Sequence, residues 1–316
     1  MNITFEYQER LLAGATIIYL NASSLKVSAC PRRYGLMVTG RKPARAWLDP
    51  EGENILETGK ALHKFAEVFT TTGGDLVEAL TTASRQYPHV ARSVIIAAGS
   101  TRPRINLPPP LIVNGKPAVE VTFDIPWYSF LHKGKLYQFV LCGTMDHIAF
   151  DGGVLKIYDF KSARGKMIEY VLAKYEHDTQ FAFYQWVVKK FKARMALPLE
   201  ICNAVDGGRI CSHVVPIQLT LKEPRWTIGP IRSLTAHQFD EYENELLHSL
   251  DYLAAAYLAA EDDIYTTNPT GMINNSCLYC DYKTLCFAQT STKQIEAVAA
   301  LEFVPYNPLK RGEENE

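Results

Sequence analysis

Two hydrophobic spacings alternate along this chain, and the switches between them outline its elements. In ETGKALHKFAEVF, residues 57–69, Leu62, Phe65, Ala66 and Phe69 share one side of a helix, with His63 beside that stripe. LVEALTTASRQ predicts another helix. Upstream, TIIYLNASSLKVSACPRRYGL offers Asn21 or Ser23 as the cap of a short helix carrying Leu25, with Cys30 ahead of Pro31. The prolines of RPRINLPPPLIVNGKP deny regular structure and mark a loop.

From Ala118 the spacing changes to two. VEVTFDIPWYSF reads as a strand, and KLYQFVLCGTMDHIAF and VLKIYDFKSA flank a hairpin turn at Asp151, Gly152 and Gly153. DTQFAFYQWVVKKFKARM then predicts an amphipathic helix starting near Asp178. LEICNAVDGGRICSHVVPIQL reads as a second strand pair joined at Asp206, Gly207 and Gly208, and AHQFDEYENELLHSLDYLAAAYLAAEDD as a long helix. CLYCDYKTLC is loop-like. The chain shows no internal repeat and no linker that would cut it in two, so residues 1–288 are expected to form a single domain. Residues 289–316, ending GEENE, are expected to form a partly disordered tail.

The hairpin carries the candidate chemistry. A two-residue turn at Gly152 and Gly153 pairs Asp151 with Val154, and the same register sets Asp146 opposite Asp159. Directly opposed residues have Cβ atoms about 4.5–5.5 Å apart, close enough for two carboxylates to share one divalent cation. Lys161 projects from the same face, which otherwise carries Ile148, Phe150, Leu155 and Ile157. Opposed like charges on an apolar face are destabilising, and a bound cation beside the lysine removes the conflict. Phosphodiester hydrolysis uses such a set: the cation polarises a phosphoryl oxygen and activates water, while the ammonium orients that water or neutralises developing charge. Counted without its register, an aspartate followed by Asp-x-Lys is equally a surface ion pair.

Composition adds limits. The 316 residues are 47% hydrophobic and 21% charged, ordinary for a folded chain that can bury a core. A net charge of −1 gives no global attraction to nucleic acid, so any basic surface is local, at Arg32 and Arg33, Arg41 to Arg45, Lys161 to Lys166 or Lys189 to Arg194. No stretch is apolar enough to span a bilayer and MNITFEYQER is too polar for a signal peptide, so no membrane association and a cytoplasmic location are expected. Seven cysteines without a secretory signal argue against a disulfide scaffold. Cys277, Cys280 and Cys286, spaced C-x2-C-x5-C, bring three thiolates round one metal centre. Cys142, Cys202 and Cys211 read as free thiols.

GTMDHIAF, VLKIYDFKSA and the helix bearing Gln180 and Tyr184 together resemble the core of the PD-(D/E)XK nucleases, in the RecB-like group. Gly59 and His63 fill that family's Gly-x-x-x-His pattern, and Glu120 matches the acidic residue ahead of its core. The resemblance implies His63, Asp146, Asp159 and the Phe160 carbonyl as ligands of Mg²⁺ or Mn²⁺, with Lys161 and Glu120 catalytic. Gln180 and Tyr184, four apart on one helix face, would support the lysine and touch nucleic acid.

Iron-sulfur members of the group, which include CRISPR-associated exonucleases and AddB-type nuclease domains, have one early cysteine before proline and three late ones. That implies a [4Fe-4S] cluster on Cys30, Cys277, Cys280 and Cys286, joining the N- and C-terminal segments, with zinc as the alternative. The implied fold is α/β, a mixed central sheet flanked by helices. The implied activity is that of a deoxyribonuclease, exonucleolytic on single-stranded DNA ends. The alternative is a catalytically silent DNA-end-binding or assembly module, and a redox role for the cysteines is a third reading. No G-x-x-x-x-G-K-[ST] motif occurs, so a helicase, recombination or CRISPR partner would supply any motor.

Overall fold

The structure, a computed structural model, describes residues 3–42, 50–164, 169, 172–173, 175, 178–219, 224–262, 280–286, 292–293, 301–303 and 306. Cys277 lies outside the described residues, as do Arg45 and Lys166 of the basic runs and most of the expected tail. The chain opens with β1 (Glu6–Tyr7), β2 (Thr16–Leu20), α1 (Ala22–Val27), α2 (Pro31–Val38) and β3 (Arg41–Lys42). Three helices follow, α3 (Pro50–Thr71), α4 (Leu76–Gln86) and α5 (Arg92–Thr101), then β4 (Ile112–Val113) and β5 (Lys116–Pro117). The long strands are β6 (Val119–His132), β7 (Lys135–Asp151) and β8 (Val154–Arg164). Next come α6 (Thr179–Phe191), α7 (Leu199–Asp206), β9 (Ile210–Leu219), β10 (Arg225–Trp226), α8 (Ala236–Asp262), α9 (Lys283–Cys286) and β11 (Glu302–Phe303).

The main sheet has the order β1-β6-β7-β8-β9-β10, with β2 pairing with β7. It is mixed: β7 and β8 are antiparallel, β8 and β9 parallel. The expected α/β class with a mixed sheet and flanking helices is therefore observed. The chain divides into two compact units, one of Met1–Leu48, Thr122–Gly143 and Asn244–Glu316, the other of Asp49–Val121 and Thr144–Glu243.

In the second unit the hairpin turn forms as the sequence requires. Gly152 and Gly153 have φ of 59° and 74°, a left-handed pair open to glycine, and Asp151↔Val154 begins a register that runs to His147↔Tyr158. On one side of this sheet Tyr158 and Phe160 pack with Val215, Ile217 and Trp226 against Leu62, Phe65 and Ala66 of α3 and Ile95 and Ala98 of α5. Asp178 caps α6 by accepting from the Gln180 N–H at 2.8 Å. That helix is buried at every position from Phe181 to Val188.

Three readings of this unit are corrected. Residues 199–206 form helix α7, not a strand, because Ile201, Ala204 and Val205 are buried at helical spacing while Leu199 is exposed. Gly207 caps that helix, and Gly208 follows with φ of 73°; a glycine pair that resembles a hairpin turn here ends a helix. Within the proline-rich loop, β4 and β5 pair around Asn114 and Gly115, both left-handed, so this segment holds a two-residue hairpin. Helix α6 stops at Phe191, short of the expected Met195.

In the first unit Asn21 caps α1 in a reciprocal pair with Ser24, at 2.7 and 2.9 Å. Cys30 is the buried N-cap residue of α2, with Pro31 at the first helical position. Gly35 lets α2 approach α8 closely: a Cβ there would stand 2.6 Å from both the Ala256 carbonyl oxygen and the Ala260 Cβ. β11 pairs with β3. Among the described residues no helix is long and apolar enough to cross a membrane.

Candidate metal centre

Asp146 and Asp159 lie one step beyond the last paired residues of the hairpin, at exposures of 2% and 1%. Two buried carboxylates need compensation, and each finds a different one. Asp146 Oδ2 accepts from the backbone N–H of Phe160 at 2.7 Å, while its Oδ1 stands 3.3 Å from His63 Nδ1. Asp159 Oδ2 is 2.6 Å from Lys161 Nζ, and its Oδ1 accepts from Gln180 Nε2 at 2.6 Å.

His63 reaches this group because Gly59, one turn earlier on α3, permits a close approach to β8. A Cβ at Gly59 would stand 3.0 Å from Ser162 Oγ. His63 Nε2 donates to the Phe160 carbonyl at 2.9 Å, so in the neutral ring Nδ1 carries the lone pair. That nitrogen is buried and stands 3.3 Å from Asp146 Oδ1 and 3.5 Å from Glu120 Oε1, ion-pair contacts whenever it carries a proton. A lone pair facing two carboxylates is repulsive unless a cation sits between them. Burial opposes a proton on His63, but Asp146 and Glu120 outweigh it and push the pKa up to about 10.

One ligand atom from each of His63, Glu120 and Asp146 lies within 4.8 Å of the others, a nitrogen and two oxygens that suit a divalent metal ion. Glu120 has a φ of 50°, an uncommon left-handed conformation for a side chain of this size at the start of a strand. No periodicity signals that backbone feature, which turns the carboxylate toward His63. The residues brought together as possible metal ligands thus differ in emphasis from the expected set: Glu120 joins His63 and Asp146, while Asp159 is held by Lys161 and Gln180.

Gln180 and Tyr184 join the same network. Gln180 Nε2 donates to Tyr184 Oη at 3.1 Å as well as to Asp159, and the buried Tyr184 hydroxyl donates to the Thr144 carbonyl at 2.8 Å. Through Gln180 the pair is tied to Asp159, whose other oxygen lies beside Lys161 Nζ. Burial pushes the Asp159 carboxyl up, against the pull of Lys161 and with the help of Asp146, to about 6. Burial disfavours charge on Lys161, yet Asp159 and Asp146 hold its pKa above the ordinary lysine value.

In the first unit Cys30 and Cys280 are buried, and Arg32 Nη1 lies 3.7 Å from Cys286 Sγ. Burial pushes the Cys280 thiol up. All six described cysteines, Cys30, Cys142, Cys202, Cys211, Cys280 and Cys286, are free of disulfides.

The family model of the PD-(D/E)XK nuclease superfamily matches residues 20–287, most of the chain. The chain belongs to the PD-(D/E)XK nuclease superfamily. Membership makes it a metal-dependent nuclease, a phosphodiester hydrolase. No curated protein matches the chain. Among solved structures it is similar to an inferred exonuclease of Eubacterium rectale, at 13% identity and a TM-score of 0.42 over 77% of this chain and 82% of that one. It is also similar to the protein SSO0001, at 15% identity and a TM-score of 0.28 over 89% and 90%. Likenesses this loose carry no argument about activity.

Proposed function

We propose that the chain is a Mg²⁺- or Mn²⁺-dependent deoxyribonuclease of the RecB-like group, acting exonucleolytically on single-stranded ends. The observation that carries this reading is the cluster of His63, Glu120 and Asp146 ligand atoms within 4.8 Å of one another, beside an Asp159 and Lys161 pair. His63, Glu120, Asp146 and Asp159 would hold the ion, and the second lone pair of the Phe160 carbonyl is available to it. When bound, the ion supplies a Lewis acid for a phosphoryl oxygen and lowers the pKa of water. Lys161 orients that water through its N–H groups and offsets charge developing at phosphorus. Gln180 and Tyr184 fix the Asp159 carboxylate in place.

The cysteines support a second element of the reading. Cys30, Cys280 and Cys286 belong to one unit, and with Cys277 they would supply four thiolates for a [4Fe-4S] cluster, with zinc as the competing occupant. Residues 1–288 would then act as one nuclease domain.

The test is cleavage of end-labelled single-stranded DNA with each divalent metal in turn, alongside a visible absorption spectrum. Activity with Mg²⁺ or Mn²⁺ that vanishes in Asp159→Ala and Lys161→Ala is expected. Parent-rate digestion by either variant overturns the assignment of the site, and salt-sensitive binding without product under any ion identifies a silent end-binding module instead. A colourless protein with stoichiometric zinc removes the cluster and leaves the nuclease.

A further inference from the structure

Among the described residues Arg102 is a buried cation with no carboxylate counterion. It opens a single 3₁₀ turn, Arg102–Arg104, that continues α5, and only 6% of its surface is exposed. Two rings flank it, Phe69 from α3 and Trp226 from β10, with centroids 5.5 and 5.7 Å from its Cζ. Neither ring accepts a hydrogen bond in the guanidinium plane. Its Nε is shut off from solvent without a partner, and among the described residues no carboxylate pairs with the group. Burial alone pulls its pKa down to about 10, and no neighbouring charge offsets the shift. Buried charges are ordinarily paired, and faces of aromatic rings compensate only in part.

Trp226 connects this group to the candidate metal centre. Its Nε1 donates to the Ala98 carbonyl at 2.8 Å, which fixes the ring, and the ring meets Phe160 edge-on at 5.6 Å and 80°. Phe160 is the residue whose carbonyl holds His63 and whose N–H holds Asp146. One indole thus lies between the guanidinium and the backbone that organises the carboxylates.

We propose that Arg102 is an anion hook that takes a phosphate oxyanion. A guanidinium presents parallel N–H donors that match two oxygens of a phosphate, and apolar walls that thin the surrounding water strengthen the attraction. In this unit the phosphate comes from a nucleic-acid strand, a step that rests on the substrate reading above; free phosphate offers the same chemistry.

Inorganic phosphate is the direct probe, titrated into the full chain at constant ionic strength with chloride as control. The melting temperature of the parent is expected to rise with phosphate, the rise to vanish in Arg102→Met, which keeps the stem between the rings, and to persist weakly in Arg102→Lys. An equal rise in Arg102→Met, or none in the parent, overturns the proposal, and Arg102→Lys decides the matter should the methionine variant not fold. The source is read in a cleavage-silent Asp159→Asn background by single-stranded DNA binding across a salt series. Loss of Arg102 flattens the slope of log K against log salt by about 0.7 when a strand phosphate is the anion. An unchanged slope with the phosphate effect intact assigns the hook to a free anion. If Asp159→Asn binds no DNA, the substrate reading fails and the phosphate titration alone decides Arg102.

Discussion

His63 Nε2 donates to the Phe160 carbonyl at 2.9 Å, and this one bond decides what the other ring nitrogen can do. With Nε2 committed as a donor, Nδ1 can receive either a proton or a metal ion between Asp146 and Glu120. The two cations compete. Because that proton has a pKa of about 10, each ion bound at neutral pH should displace about one proton, and metal affinity should rise about tenfold per pH unit. Below about pH 6 protonation of Asp159 should steepen the loss. Calorimetry of Mn²⁺ binding in buffers of different ionisation enthalpy measures the release directly; no net proton release at pH 7 contradicts the His63 assignment.

Asp159 depends on two donors from different elements, Lys161 on its own strand and Gln180 on α6. Lys161→Ala is expected to lower kcat by about 10³-fold or more with folding retained, since it removes the group that acts on developing charge. Gln180→Ala leaves Lys161 in place and frees Asp159 Oδ1, so it should weaken metal binding by about 10–100-fold with a smaller effect on kcat at saturating metal. Metal titrations of activity for both variants separate the two roles.

The hairpin was legible because its register depends on a local turn: two glycines with positive φ determine which residues oppose, and Asp146 and Asp159 follow. His63 was legible as a position beside an apolar stripe, and its approach to β8 depends on Gly59. The α7 segment was not legible, since Asp206, Gly207 and Gly208 make as good a turn as a helix end, and only packing of Ile201, Ala204 and Val205 decides between them. Helix α5 went unread because its cap, Ala91, offers no side-chain acceptor. The partners of Asp159 and the left-handed Glu120 are tertiary facts with no spacing of their own.

His147, next to Asp146 in sequence, is 1% exposed and donates from Nε2 to the Pro108 carbonyl at 3.0 Å. Burial pulls its pKa down to about 4, below the ordinary value near 6.5. The unfolded chain therefore binds the proton first, so the stability contributed by neutral His147 is fully present above pH 6.5 and is lost as pH falls through 4. The loss is on the order of 3 kcal/mol. Urea unfolding at pH 7.5 and pH 4 should show this difference shrinking in His147→Gln, which keeps a donor for Pro108; an identical acid limb in both proteins rejects it.

Gly35 sits where α2 meets α8, with space for no further carbon. Gly35→Ala should destabilise by about 1–3 kcal/mol through overpacking, despite alanine's better helix propensity. A lower urea midpoint with an unchanged slope is the expected signature. Because Cys30 caps α2, the same variant should also lower iron or zinc retention after dialysis against a chelator if the proposed thiolate site is occupied.

The burial of α6 from Phe181 to Val188 has a consequence for timing. A helix enclosed at successive positions opens only when the surrounding packing opens, so its amides should be among the slowest in the chain to exchange with deuterium. Gln180 stands in the first turn of that helix, which ties the Asp159 side of the centre to a slow clock.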